Sequence, residues 1–315
     1  MVELVTVSVI ICTHNPLEAY LNRVLTALAE QTFPNAHWEL LLIDNASNES
    51  VGERYNISWH PNGRHIREAE LGLTSARLRG ITEAKAELLI FVDDDNVLAS
   101  DYLECAYKIS NTFPFLGAWG GQALAEYEIE PPEWLPPISW RLGVRSLSGD
   151  TWSNDPEHWI ARPFGAGLCV RRFVAEAFVS SIKSDPRKIL LGRRGQSLLS
   201  DEDHELVAQC VKFGLGSGTF ERMRLIHLIP SRRLSENYFC RLIAGQTASK
   251  LYRNYLISGP APIHDYVKFL NKMRLAKAFF KGGRRAAAFR QAELAGYAEA
   301  VSLYWAANKE RTEIN

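Results

Sequence analysis

The sequence is short of several things. It has five cysteines in 315 residues, Cys12, Cys105, Cys169, Cys210 and Cys240, scattered and never spaced as C-x-x-C. That excludes a disulfide framework and a cysteine zinc cage, and it fits a reducing, cytoplasmic setting. No apolar run reaches the roughly 18 residues that a membrane-spanning helix needs. The start MVELVTVSVIICTHN has no basic leader, so neither a signal peptide nor a span is expected. Net charge is also missing: 36 Lys and Arg balance 36 Asp and Glu, which argues against a nucleic-acid partner. The G-x-G-x-x-G turn of dinucleotide folds does not follow the first apolar run, where the residues are THNP.

What remains is an ordinary globular composition, 46% hydrophobic and 23% charged, with enough chain for about two domains. The charge balance hides an asymmetry. Residues 241–290 carry eleven Lys and Arg against one acid, Asp265. Phe269, Leu270, Met273, Leu275, Phe279 and Phe280 are interspersed among them. Such a stretch suits peripheral contact with an anionic membrane, on the inner face of the cytoplasmic membrane for a cytoplasmic protein; a solvated basic helix pair would have the same composition.

Hydrophobic spacing alternates between two periods over the first hundred residues, as a parallel sheet covered by helices requires. Residues 5–12 (VTVSVIIC) predict a buried strand. After Thr13-His14-Asn15-Pro16, residues 17–31 place Leu21, Val24, Leu25 and Leu28 at helical spacing. Residues 38–43 predict a second strand ending in Asp44-Asn45, residues 72–86 a helix, and residues 88–92 a strand ending in Asp93-Asp94-Asp95. Ligands of open α/β sheets bind beyond the carboxyl ends of the strands, so Thr13, Asn15, Asp44 and the Asp run are expected to share one crevice. Residues 126–159, with PPEWLPP and several tryptophans, predict an irregular excursion. Residues 164–170 predict a strand, 192–200 a basic loop, and the chain from about residue 235 is expected to be mainly helical.

Three adjacent carboxylates repel one another unless a cation or solvent relieves them. If strand geometry persists through the run, Asp93 and Asp95 point the same way and offer oxygen ligands to one Mg²⁺ or Mn²⁺. A solvated turn would explain the run equally well. Asp44 could accept hydrogen bonds from a ribose or base, or simply open an Asx turn. Arg77 and Arg79 lie on a predicted helix from which a guanidinium could meet a phosphate. Ser200 to Glu205 is acidic where a helix begins, as the helix dipole favours, and one of its carboxylates could serve as a general base. His227 is a candidate ligand, or a packed core histidine, and Arg232 and Arg233 follow it as cations for a diphosphate. Trp134, Trp140, Trp152 and Trp159 offer flat faces for sugar stacking or for core packing.

The ordered set VSVIICTHN, LLIDNASNES, ELGLTSARLRGITEAKAELLIFVDDDN, GRRGQSLLSDEDHELV and IHLIPSRRL resembles the family 2 glycosyltransferases over most of residues 5–235. The resemblance implies the GT-A fold, a Rossmann-like α/β sandwich on a mainly parallel sheet, with a C-terminal helical extension. The expected division is a catalytic domain over 1–234, with a nucleotide-binding half at 1–112 and an acceptor-binding half at 113–234, followed by a helical region over 235–315. It also implies inverting transfer from a nucleotide-diphosphate sugar to a glycan or lipid-linked glycan acceptor, assisted by Mn²⁺ or Mg²⁺. On that resemblance Thr13, Asn15, Asp44, Arg77, Asp93, Asp94 and Arg232 are donor-binding residues. Asp95, Asp93 and His227 are metal ligands. Asp203, in the Glu202-Asp203 pair, is the catalytic base. Two positions depart from the family pattern: Asp44-Asn45 stands where a pair of acids is common, and Asp201 where a small residue is usual. A nucleotidyltransferase should show a glycine-rich phosphate loop after strand one, a nucleotide-sugar hydrolase would share the donor residues, and a lectin-like module would have no use for a general base.

Overall fold

The computed structural model describes residues 5–259 and 265–314. The chain forms two compact units, one of residues 1–184 and 203–229, the other of residues 185–202 and 230–315.

In the first unit, β1 (Val7–Thr13) and β2 (Trp38–Asn45) are buried along their whole length. This is why both read as unbroken apolar runs: helices cover the two faces of a parallel sheet, and no solvent face imposes alternation. The polar side chains of Ser8 and Glu39 inside this layer are satisfied. Ser8 Oγ donates to Glu39 Oε1 at 2.7 Å and accepts from Ala86 N at 3.0 Å, while Arg64 Nη2 donates to Glu39 Oε2 at 3.2 Å.

The order continues from β1 through α1 (Glu18–Ala29) to β2, then α2 (Val51–Arg54), β3 (Gly63–Glu68), α3 (Leu73–Glu83), β4 (Leu88–Asp93), β5 (Asn96–Leu98), α4 (Tyr102–Thr112), β6 (Leu116–Tyr127), β7 (Thr151–Ser153), β8 (Leu168–Arg171), α5 (Arg172–Ser184), α6 (Glu202–Ala208) and β9 (Gly216–Ile229). The strands form one sheet in the order β3-β2-β1-β4-β8-β6-β9-β5, with β7 beside β9. Pairing is parallel from β3 to β4 and between β6 and β9, and antiparallel elsewhere. The sheet is mixed but mainly parallel, as expected: its long ladders are parallel and its short ones antiparallel. The first half follows β-α-β crossovers; β8 enters from a long excursion and pairs antiparallel to β4.

Two local expectations change. Residues 164–167 are loop and the strand starts at Leu168, because Gly167 takes φ 70°. The Asp run does not continue as strand: β4 ends at Asp93 and the chain turns before β5, so the alternation that would point Asp93 and Asp95 the same way is lost.

The second unit contains α7 (Glu236–Ser258) and α8 (Asp265–Ile314). Ser235 caps α7, its Oγ accepting from Tyr238 N at 3.2 Å. Residues 185–202 cluster with these helices. Arg187 Nη1 donates to Asn308 Oδ1 at 2.6 Å, Ser200 N donates to Ser249 Oγ at 2.8 Å, and Asp201 Oδ2 lies 2.8 Å from Arg253 Nε. α8 consists of two helices meeting at Gly283, whose φ of 68° and ψ of −160° are non-helical. Its second half runs alongside α7 in the same direction, with Phe239 against Phe289 and Tyr255 against Tyr304. The side chains of Phe269, Leu270 and Met273 lie outside the described residues. Among the described residues no helix is long and apolar enough to cross a membrane.

Candidate active site at the carboxyl edge of the sheet

Strand register puts the predicted donor residues in one row. Thr13 pairs with Asp44, Asp44 with Arg67, and Cys12 with Asp93, at the carboxyl ends of β1, β2, β3 and β4. Asp44 is buried and accepts from Ser47 N at 3.0 Å, from Val51 N at 3.3 Å and from Arg67 Nη1. Burial pushes its carboxyl up, but the bonds from Ser47, Arg67 and Val51 outweigh it and hold the group below its ordinary value, as an anion. Arg67 also donates to Ser47 O at 2.9 Å. Asn15, at φ 49°, turns the chain out of β1. Its N–H donates to Ser47 Oγ and its Oδ1 accepts from Asn48 N, both at 2.9 Å, which ties the loops after β1 and β2 together. Asn45 donates to Glu70 O at 2.7 Å and accepts from Gly72 N at 2.8 Å, fixing the start of α3.

The three aspartates diverge. Asp94 accepts from Thr13 Oγ1. Asp93 Oδ1 lies 3.7 Å from Nη2 of Arg77, a side chain only 3% exposed whose guanidinium is held 5.5 Å from the centre of the Phe91 ring. Arg79, two residues on, is exposed and pairs with Glu83 at 2.8 Å. Asp95 faces His227: both are about nine-tenths buried, with Nε2 and Oδ2 3.5 Å apart, because β5 pairs Asn96 with His227. Asp95 Oδ1 also accepts from Asn96 Nδ2 at 3.0 Å.

A carboxylate oxygen and an imidazole nitrogen this close make a fit for Mn²⁺ or Mg²⁺ bound together with substrate phosphates, a mode that needs only one or two protein ligands. Among the described residues no group of three His, Cys, Asp or Glu side chains is placed to hold a metal ion. The expected trio of Asp93, Asp95 and His227 is therefore not a preformed cage. The turn after Asp93 separates the first of them and directs it to Arg77.

Asp203, at the start of α6, reaches the same edge. Its Oδ2 accepts from Gly165 N at 2.7 Å and its Oδ1 from His204 N at 2.7 Å. Gly165 stands between acid and arginine: a Cβ there would lie 2.6 Å from Arg77 Nη2 and 3.3 Å from Asp203 Oδ2. Any larger residue there would have to displace the Arg77 guanidinium. The row is built from first-unit residues alone. Glu202 and Arg232, the remaining predicted site residues, belong to the second unit, Arg232 in the short turn Ser231–Leu234.

Several residues around Asp203 carried no sequence signal of function. Arg145 is buried with its guanidinium 3.6 Å from the centre of the Phe164 ring, and it donates to Arg162 O at 2.7 Å. Burial lowers its pKa to about 10 and the charge of Arg162 adds to this, while Asp203 opposes it, so it is a cation at neutral pH. His204 Nε2 lies 3.0 Å from Arg162 Nη1 and 3.2 Å from Glu157 Oε1. Trp140, Trp159 and Phe164 stack edge to face in succession, at 5.6 and 5.5 Å, beside these arginines. Trp152 instead packs on Phe113 and Phe115, away from this cluster.

Known proteins resemble the chain in sequence and fold. Residues 8–162 match the family model described as glycosyl transferase family 2. The poly(ribitol-phosphate) beta-N-acetylglucosaminyltransferase TarP of Staphylococcus aureus is 31% identical over 121 residues, 36% of this chain and 36% of that protein. The glycosyltransferase GlyA of Streptococcus pneumoniae is 29% identical over 104 residues, 32% of this chain and 14% of that protein. The matched region thus spans little more than a third of the one relative and about a seventh of the other. Among solved structures, the mannosyltransferase PcManGT of Pyrobaculum calidifontis, in complex with GDP-Man and Mn²⁺, superposes with a TM-score of 0.59 at 16% identity, covering 94% of this chain and 86% of that one. The fold is the GT-A fold, and residues 8–162, just under half of the chain, match glycosyl transferase family 2.

Proposed function

We propose that the chain is an inverting glycosyltransferase that moves a sugar from a nucleotide-diphosphate donor to the hydroxyl of a glycan or lipid-linked glycan acceptor. The observation that carries this reading is the convergence at Gly165. A carboxylate fixed by two backbone N–H groups and a buried arginine facing the Asp run approach the same glycine from two sides.

In this reading the row Arg67, Asp44, Thr13 and Asp94 takes the nucleoside, with Asn15 holding the loop that frames it. Asp203 accepts the proton of the acceptor hydroxyl. The acceptor hydroxyl oxygen forms a bond to the anomeric carbon as the bond to the diphosphate breaks, and the leaving group departs with the electron pair. In-line attack from the side opposite the leaving group inverts the anomeric centre. Arg77, buried and fixed over Phe91, places a permanent positive charge at the Asp93 end of the site, where charge grows on the diphosphate. Glu202 is the acid next to Asp203 in the chain. When bound, Mn²⁺ or Mg²⁺ supplies further charge to the leaving group, and Asp95 with His227 are the residues that would hold it. The likeness to family members named as glycosyltransferases, and to a structure holding GDP-Man and Mn²⁺, supports the reading. Trp140 and Trp159, exposed at 42% and 46%, offer an acceptor sugar two apolar faces near Asp203.

The test is a transfer assay with UDP- and GDP-sugars over an acceptor panel, following nucleoside diphosphate release and the anomeric configuration of the product by NMR. Release that depends on acceptor, with an inverted product and loss of turnover in Asp203→Asn, is the expected result. Release equal with and without acceptor would mark a hydrolase, and a retained configuration would overturn the assignment of Asp203 as base.

A further inference from the structure

The second unit presents a basic and aromatic tip that the donor site does not use. Around the bend at Gly283, Phe279 is 49% exposed and Phe280 85%, their rings edge to face with centroids 6.0 Å apart. Two adjacent phenylalanines left in water forgo the gain from burial, and nothing in the packing of α7 against α8 requires them there. The charge around them has one sign. Residues 274–290 include Arg274, Lys277, Lys281, Arg284, Arg285 and Arg290 and no acid. Glu236 pairs with Arg285 and Glu293 with Arg290, whereas among the described residues no carboxylate pairs with Arg274, Lys277 or Arg284. Arg274, Lys277 and Ala278 from before the bend and Arg290 from after it line a hollow of about 350 Å³.

We propose that this tip docks the protein on an anionic phospholipid bilayer. Phe279 and Phe280 enter the boundary between headgroups and acyl chains, while Arg274 and Lys277 in the hollow, and Arg284 beyond the bend, take lipid phosphates. Charge complementarity selects an anionic surface. The two phenylalanines select a bilayer over a polynucleotide, since they stand out of a helix bend instead of lining a groove in which bases could stack. The contact is peripheral, because no described helix can span a membrane. This surface stands independently of the donor-site reading, and either can fail alone.

The experiment is co-sedimentation of the full chain with vesicles of phosphatidylcholine alone and of phosphatidylcholine mixed with phosphatidylglycerol. Inorganic phosphate and single-stranded RNA serve as competitors. The expected result is sedimentation with the anionic vesicles only, weakened by salt and not by millimolar phosphate. Phe279→Ser with Phe280→Ser should lower the bound fraction about tenfold or more, since each ring loses its burial. Arg274→Glu with Lys277→Glu should do the same by reversing charge. All four positions are exposed, so circular dichroism should match the parent. Equal sedimentation with both vesicles, binding unchanged in the double serine variant, or complete displacement by RNA would overturn the proposal.

Discussion

Replacing Gly165 by alanine tests the heart of the proposed site without touching a charged group. The new methyl would sit 2.6 Å from Arg77 Nη2 and 3.3 Å from Asp203 Oδ2, against about 3.5 Å for an ordinary contact. Arg77 must therefore move by about 1 Å, and Asp203 by a few tenths. Arg77 is only 2% exposed and lies over Phe91, so it has no open solvent to retreat into. The Gly165 N–H survives the change and can still donate to Asp203. A misplacement of about 1 Å at a reacting centre costs roughly 10²-fold in rate, or about 2.7 kcal/mol of barrier. Overpacking should cost about 1–3 kcal/mol of stability. The assay is kcat and KM for the donor, with a thermal melt as the control for folding, repeated in the Arg77→Lys background. Because the methyl acts through Arg77, the two effects should be non-additive. A Gly165→Ala enzyme that folds and turns over within about threefold of the parent would refute the alignment, as would strict additivity with Arg77→Lys.

Four further outcomes follow from the same geometry. Asp203→Asn should remove turnover while leaving donor affinity within about threefold, because proton transfer needs the ionised carboxylate and donor binding does not; titration calorimetry beside the transfer assay separates the two. Arg67→Ala should weaken nucleotide binding and destabilise the fold by about 1–3 kcal/mol, since it removes a partner of the buried Asp44. With Asp44 held below its ordinary range, its contribution is full above about pH 4 and is lost as acid titrates it, so Arg67→Ala should narrow the stability gap at low pH. His60 is buried against Trp38 and its pKa falls to about 4, so the unfolded chain binds a proton more readily between about 4 and 6.5. Stability should therefore fall by up to about 3 kcal/mol as pH drops through that window, and a His60→Gln variant that keeps the full slope in urea titrations would contradict the assignment. Gly80→Val should destabilise by at least about 1–3 kcal/mol, because a Cβ at that position already falls inside van der Waals contact with Ile10 of β1; an unchanged urea midpoint would contradict this.

The nucleotide half was legible in the sequence because burial on both faces writes itself as apolar runs. β1, β2 and β4 begin and end within two residues of where hydrophobicity placed them. β3 gave no such signal, since GRHIRE lies at the sheet edge with charged side chains facing out. β6 and β9 were hidden by glycines, which break a propensity pattern where the backbone must pack closely. Gly121, for example, has no room for a Cβ beside the Met223 carbonyl. Among the candidate residues, strand ends could be read by position, so Thr13 and Asp44 emerged as neighbours. What three consecutive aspartates do could not be read, because the turn after Asp93 gives each a different partner. Gly165, Arg145 and Arg162 left no trace, since what they contribute is space and buried charge set by contacts with distant parts of the chain.

The central claim is that the row of acids at the carboxyl edge takes a nucleotide diphosphate. Calorimetric titration of the full chain with UDP, GDP and dTDP, each with Mn²⁺ and with EDTA, tests it directly, and Asp95→Ala supplies the matched control. The account predicts that one nucleotide binds in the presence of the metal, and that affinity falls at least about tenfold with EDTA or in the variant, because Asp95 with His227 would hold the cation against the diphosphate. No binding of any nucleotide under either condition, or equal binding by parent and variant with and without metal, would contradict it.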